Sequence, residues 1–352
     1  MAERKLTLAY IGNGKSANRY HIPYVQQRRD HFRIKTIFDP HIRHDVWPEI
    51  EDVIYTERAE DVFKDPEIDL VVVNTRPAFH YEYAKRALEA GKHCLCEKPF
   101  MPTAAQAREI FELARKKGLY CSPYQNRRYD SDFLTVKKVM EGGKLGELLE
   151  MEIHYDYYRP EVPEGKTSSD RTASFLYGHG CHTLDQAVSL FGEPDRVRYD
   201  VRQLLGKGRM NDYFDIDLYY GSLKVSVKSS YFRIKSRPKF VVYGKRGMFV
   251  KETQDRQEEH LKLFYVPGRP GFGQDRPEHY GTLTYLDEEG VYHEEKVPSE
   301  TGDYGRVYDD VYSCIVQGKE PVIKPWQTLV QMELLENGMR SMEQQNEQKI
   351  MD

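Results

Sequence analysis

The sequence predicts an α/β protein: a doubly wound parallel sheet over residues 1–122, then a second α/β domain over 123–352 with a large open, mainly antiparallel sheet. Three observations lead there. An apolar run, Leu6 to Ile11, ends abruptly in Gly12-Asn13-Gly14-Lys15-Ser16-Ala17. Apolar runs then alternate with helical patterns through short connections, the signature of parallel strands with crossover helices. Beyond Glu147, alternating runs follow one another through tight turns, which makes strands antiparallel. The chain's 352 residues suit about two domains.

Leu6–Ile11 is the first strand, and a helix starts near Ser16. Pro23 ends or kinks the early part of that helix. Gly12 and Gly14 allow backbone angles and close approach that a Cβ forbids, and Ala17 completes a G-x-G-x-x-A pattern. A helix N-terminus behind such a turn offers unpaired N–H groups, with Lys15 and Ser16 beside them, to a pyrophosphate. Alone, this is a glycine turn between a strand and a helix. Arg33–Phe38 is the second strand, ending at Asp39-Pro40. A carboxylate there accepts ribose hydroxyls and repels a 2′-phosphate, which favours NAD over NADP, with Arg43 softening the preference. Ile68–Val73 lacks polar alternation and is rich in β-branched residues, as a strand buried on both faces is. It ends at Asn74-Thr75-Arg76-Pro77, and Phe79–Ala90 is a helix carrying His80. His93–Cys96 is a strand ending in Glu97-Lys98-Pro99, Thr103–Lys117 a helix and Leu119–Cys121 a strand. The turns at 12–17, 39, 74–77 and 97–99 all fall at carboxyl ends of strands, where such sheets bind ligands. That coincidence turns the glycine motif into a dinucleotide site.

Asn126 begins the exit from the first domain, as a nicotinamide-ribose ligand or a turn residue. Asp132–Glu141 is a helix and Glu147–Tyr158 a strand of period two. Residues 161–174 form a lid or a surface loop. Strands follow near Val197–Gln203, Tyr213–Tyr220, Leu223–Ser230, Lys239–Tyr243 and Gly247–Val250. Asp255–Tyr280 reads as loop, and Gly281–Leu286 with Val291–Val297 as a hairpin. Gly302-Asp303-Tyr304-Gly305-Arg306 precedes a helix near Val307–Gln317, with Asp303 and Tyr304 either lining a pocket or packing. Trp326–Met342 is an amphipathic helix that frays from Gln344. A wide sheet with an apolar face needs cover, so a homodimer or homotetramer through it is expected.

Bulk properties exclude several classes. A net charge of −4 argues against general nucleic-acid binding. No apolar run approaches the roughly 20 residues of a membrane span. The five cysteines and a start without a signal-peptide pattern point to the cytoplasm. His179, Cys181 and His182 lack a regularly spaced fourth ligand, so no metal is expected.

Gly12-x-Gly14, Ala90-Gly91-Lys92-His93 and Glu97-Lys98-Pro99, with the later Gly178–Asp185 stretch, resemble the glucose–fructose oxidoreductase / inositol dehydrogenase / rhizopine-catabolism family over essentially the whole chain. The resemblance is closest to a poorly characterised bacterial branch. It implies a Rossmann domain, NAD or NADP as hydride carrier, and sugars, polyols, inositols or similar cyclic hydroxyl compounds as substrates. It places functional roles on Gly12, Gly14, Asp39, Thr75, Pro77, His80, Glu97, Lys98, Asn126 and His182, and suggests a cis Lys98–Pro99 bond. Asn74 joins the cofactor group by its place at a strand end. Lys98, at a strand end beside the expected nicotinamide, exchanges the hydroxyl proton. His182, at a helix start, hydrogen-bonds the substrate, and Asp185, three residues on, either orients it or sits on the helix dipole. One departure stands out: Gly178 occupies a position where the family often has an acid, so the proton relay is shorter, or another residue such as Asp156 or Asp185 supplies the carboxylate, or the chain binds dinucleotide without turnover, as a sensor or regulator.

Overall fold

The first strand, β1 (Leu6–Ile11), is buried almost throughout, as its lack of polar alternation demands. The computed structural model describes residues 4–162, 170–206 and 208–348. They fall into two units. The first holds residues 1–126, 258–272 and 304–329, and the second holds 127–257, 273–303 and 330–352. Two later segments thus return to the first unit.

In the first unit β1 lies among β2 (Phe32–Phe38), β3 (Ile54–Thr56), β4 (Leu70–Val73), β5 (His93–Cys96) and β6 (Cys121–Pro123). The order is β3-β2-β1-β4-β5-β6 and every pairing is parallel. The order reverses between β1 and β4, so the strand ends there open a crevice. Behind the glycine turn, a wide π-helical turn (Ser16–His21) precedes α1 (Ile22–Gln26). Pro23 therefore opens a new helix rather than closing the old one, since a first-turn residue needs no N–H partner. β3 and α2 (Glu60–Phe63) are too short to have left an apolar pattern. α3 (His80–Glu89) and α4 (Ala104–Lys117) follow. Thr103 caps α4 through a 3.1 Å bond from the Gln106 N–H, and Gly118 ends it at φ 65°.

The second unit opens with α5 (Ser131–Glu141). Its eight-stranded sheet comprises β7 (Leu148–His154), β8 (Arg196–Arg202), β9 (Tyr213–Tyr220), β10 (Leu223–Ser230), β11 (Phe240–Gly244), β12 (Gly247–Lys251), β13 (Gly281–Leu286) and β14 (Tyr292–Val297). The order is β14-β13-β12-β11-β7-β10-β9-β8, antiparallel except for β7 against β10. Met151, Ile153, Phe214, Ile216, Val225, Val227, Phe240 and Val242 line the buried face. α5 and α6 (Cys181–Phe191) pack on that sheet. The opposite face carries charge ladders, Glu150 with Lys224 and Glu152 with Lys228.

The segment read as loop, 255–280, contains α7 (Gln257–Lys262) and a 3₁₀ turn, Pro277–His279. α8 (Arg306–Gln317) belongs to the first unit, and α9 (Pro325–Gln348) runs on past Gln344, where fraying was expected. Residues 163–169 of the expected lid lie outside the described residues. No helix among the described residues is long and apolar enough to cross a membrane.

Candidate active site

Gly12 takes φ 109°, and a Cβ on it would sit 2.8 Å from the Asn74 carbonyl oxygen. β1 and β4 are hydrogen-bonded neighbours, so only glycine lets the turn pass the end of β4. At Gly14 an added Cβ would meet nothing within 4 Å: the turn faces open space. The Asn74 side-chain oxygen is buried with no partner among the described residues. A glycine cradle, a helical N-terminus and an orphaned amide oxygen together fit a nucleotide. Asp39, at the end of β2, accepts from the Asn13 N–H at 2.9 Å and the His41 N–H at 3.0 Å, which fixes its carboxylate beside the turn.

The Glu97-Lys98-Pro99 turn follows β5, and its Lys98–Pro99 bond is cis. Glu97 holds it. One carboxylate oxygen accepts from the Ser16 hydroxyl and meets His21 Nε2 at 3.0 Å. The other accepts from the Lys98 N–H at 2.9 Å. The π-helical turn brings Ser16 and His21 onto the same carboxylate oxygen. Burial pushes the Glu97 pKa up, but the His21 and Ser16 hydrogen bonds and the His21 and Lys98 charges overcome it and hold it at about 2. Behind His21 the chain continues inward: Nδ1 lies 2.7 Å from the Tyr308 hydroxyl, itself 3.2 Å from that of Tyr10. Lys98 is half-buried and Lys15 exposed.

His80 departs from expectation. Its ring is wholly buried, with Nε2 3.1 Å from the Thr75 carbonyl and Nδ1 2.9 Å from that of Pro99. Burial lowers its pKa against those carbonyls. It clamps the β4 and β5 turns together. Thr75 contributes that carbonyl, and Pro77 opens a 3₁₀ turn, Pro77–Phe79. Buried Asn126 begins another, Asn126–Tyr129.

In the second unit His182 lies buried in the first turn of α6. Asp185 does not orient it. Both Asp185 oxygens are taken by Arg128, through Nε and Nη2, each at 2.7 Å. A planar guanidinium matches a carboxylate bidentately, and both groups are buried, so this pair outcompetes a ring one turn away. Gln186 adds a 2.9 Å bond to the Arg127 carbonyl, so α6 anchors the Arg127–Tyr129 turn. Tyr304 packs: it is fully buried with Tyr24 and Leu261 in the first unit.

Family models match both parts of the chain: the NAD-binding Rossmann fold of an oxidoreductase family over residues 6–125, and its C-terminal alpha/beta domain over 137–350. The chain belongs to the Gfo/Idh/MocA oxidoreductase family. Among Gfo/Idh/MocA relatives, the uncharacterized oxidoreductase YhhX of Escherichia coli is 48% identical, covering 95% of this chain and 96% of the relative. The scyllo-inositol 2-dehydrogenase (NADP(+)) IolW of Bacillus subtilis is 31% identical, covering 96% of this chain and 93% of its own. A crystal structure of the probable oxidoreductase yhhX superposes with a TM-score of 0.91 at 48% identity, covering 95% and 96% of the two chains. An oxidoreductase from Bacillus cereus gives 0.90 at 40%, covering 95% of each.

Within this Gfo/Idh/MocA chain the first unit brings Gly12, Ser16, Asn74, Glu97 and Lys98 to adjoining strand ends. His80 and Asp185 turn to structural partners. His21, Tyr308 and Arg128 went unremarked in the sequence. The only local hint was a histidine two residues before Pro23 in a helix start, because its partners lie 76 and 287 positions away. Among the described residues no group of three or more His, Cys, Asp or Glu side chains is arranged to hold a metal ion.

Proposed function

We propose that this chain is an NAD-dependent dehydrogenase acting on a secondary alcohol or ketone of a sugar, polyol, inositol or similar cyclic hydroxyl compound. One observation carries the reading: Glu97 ties the Lys98 turn to the nucleotide-binding turn through Ser16. When bound, the nicotinamide supplies the hydride chemistry. Gly12, Gly14 and Ser16 would hold its pyrophosphate, and Asn74 would offer an amide oxygen. Asp39 would accept the adenosine ribose hydroxyls; its charge disfavours a 2′-phosphate, although IolW is named for NADP. Lys98 takes the hydroxyl proton during oxidation and returns it during reduction, its ammonium stabilising alkoxide character. His182 donates a hydrogen bond to the substrate oxygen and helps share the proton. A cyclic polyol substrate has the support of the name of IolW.

The test offers NAD, NADP and their reduced forms with a panel of inositols, polyols and keto sugars while nicotinamide absorbance is followed. Turnover with NAD supports the reading. Tight cofactor binding with no turnover across the panel would instead favour a sensor.

A further inference from the structure

The second unit holds a feature that the proposed proton transfer does not use. Past the end of β7, Tyr155 and Tyr157 lie against His179, at ring-centre distances of 5.8 and 4.8 Å. Phe175 at 4.7 Å and Tyr231 at 5.7 Å complete the ring cluster around the same imidazole. Tyr155 and Phe175 are buried, whereas Tyr157, His179 and Tyr231 are half-buried, so the cluster presents one partly open aromatic surface. An added Cβ at neighbouring Gly178 would meet nothing within 4 Å among the described residues.

Two guanidiniums flank this surface. Arg159 stacks on Tyr157 at 4.7 Å from the ring centre, and Arg209 on Tyr231 at 4.5 Å. Both act on the Tyr231 hydroxyl: burial raises its pKa, and the two charges pull against that. Other cations nearby are compensated. Arg127 meets Asp130 at 3.3 Å, and Arg237 holds Asp156 at 2.9 Å. Among the described residues no carboxylate pairs with Arg159 or Arg209. Arg209 Nη2 donates to the Glu161 carbonyl at 2.6 Å, while its Nη1 is buried with no partner there. A guanidinium stacked on a ring keeps its N–H edge available, and that edge suits a carboxylate or phosphate.

We propose that this aromatic surface receives the substrate's ring and that Arg159 and Arg209 take an anionic group carried on it, a carboxylate or a phosphate. The proposal rests on the dehydrogenase reading and narrows its substrate class to acidic or phosphorylated sugars and cyclitols. Apolar C–H faces of a sugar stack on Tyr157 and Tyr231, and the arginines select against neutral analogues.

The test is calorimetric titration of the full chain, with NAD present, using glucose, myo-inositol, D-glucuronate and glucose 6-phosphate. At least one anionic probe should bind at least about tenfold tighter than glucose, less so at high salt. Which one binds separates carboxylate from phosphate. In Arg159→Gln/Arg209→Gln, with an unchanged thermal unfolding midpoint, that preference should vanish. Equal affinities in the wild type, a preference that survives the double substitution, or no binding by any probe would overturn the proposal. Anion-selective binding without turnover would sink the dehydrogenase reading alone. Turnover of neutral polyols indifferent to both arginines would sink the anion site alone.

Discussion

At Glu97 burial is opposed by hydrogen bonds and nearby positive charge, which win: its pKa falls from 4.5 to about 2. A carboxyl so depressed stabilises the fold fully above its unfolded pKa and loses that contribution as pH falls toward the folded value. The window therefore runs from pH 4.5 down to about 2. A shift of that size corresponds to on the order of 3 kcal/mol. Glu97→Gln should cost about 2–4 kcal/mol at neutral pH, because it unpairs His21 in a buried site. It should also flatten the acid limb of the stability profile, measured by urea unfolding across pH; a slope equal to wild type contradicts the assignment. Asp39 makes a separate prediction. Asp39→Ser should lower the NAD-to-NADP ratio of kcat/KM by at least about tenfold, since the repelling charge is removed. An unchanged ratio rejects the charge explanation. Glu97 and Lys98 were legible because strand, turn and proline are local signals. The partners of Glu97 were not: His21 lies 76 positions away, and nothing local announces such a pair.

Among elements, the glycine turn separates architecture from ligand binding. Gly12 has a positive φ and a backbone oxygen where a Cβ would go, while Gly14 has open space. Gly12→Ala should lose about 1–3 kcal/mol of stability. Gly14→Ala should unfold at the wild-type temperature yet bind NADH at least about tenfold more weakly, because its methyl occupies the nucleotide's place. Thermal unfolding and fluorescence titration distinguish the two; equal behaviour of both variants contradicts the turn's assignment. β5 matched the sequence reading because buried parallel strands leave unbroken apolar runs. β3, α2 and α7 were illegible because three to six residues give no period to read. Asp185 misled through spacing: three residues place it near His182 along the helix, but Arg128 offers two hydrogen bonds at once.

At the scale of the molecule, the first unit is completed by chain that returns late. Tyr308 of α8 closes the His21 network, and Arg28 grips Asp309 at 2.6 and 2.9 Å. A Cβ at Gly305 would lie 1.9 Å from the Arg28 guanidinium, which would have to shift to admit it. No shift in composition marks these segments, so the two-part organisation was legible and the return was not. A fragment of residues 1–126 lacks Tyr304, Tyr308 and Asp309. It should show no cooperative thermal transition, whereas the full chain should; a sharp transition in the fragment contradicts the dependence. The proton-transfer role of Lys98 remains the claim on which the catalytic account turns. Its most direct measurement pairs nicotinamide absorbance with NADH titration for Lys98→Met and wild type, using a substrate the wild type turns over. The variant should lose at least about a hundredfold in kcat while its NADH affinity stays within about threefold. A variant that turns over at the wild-type rate would contradict the account.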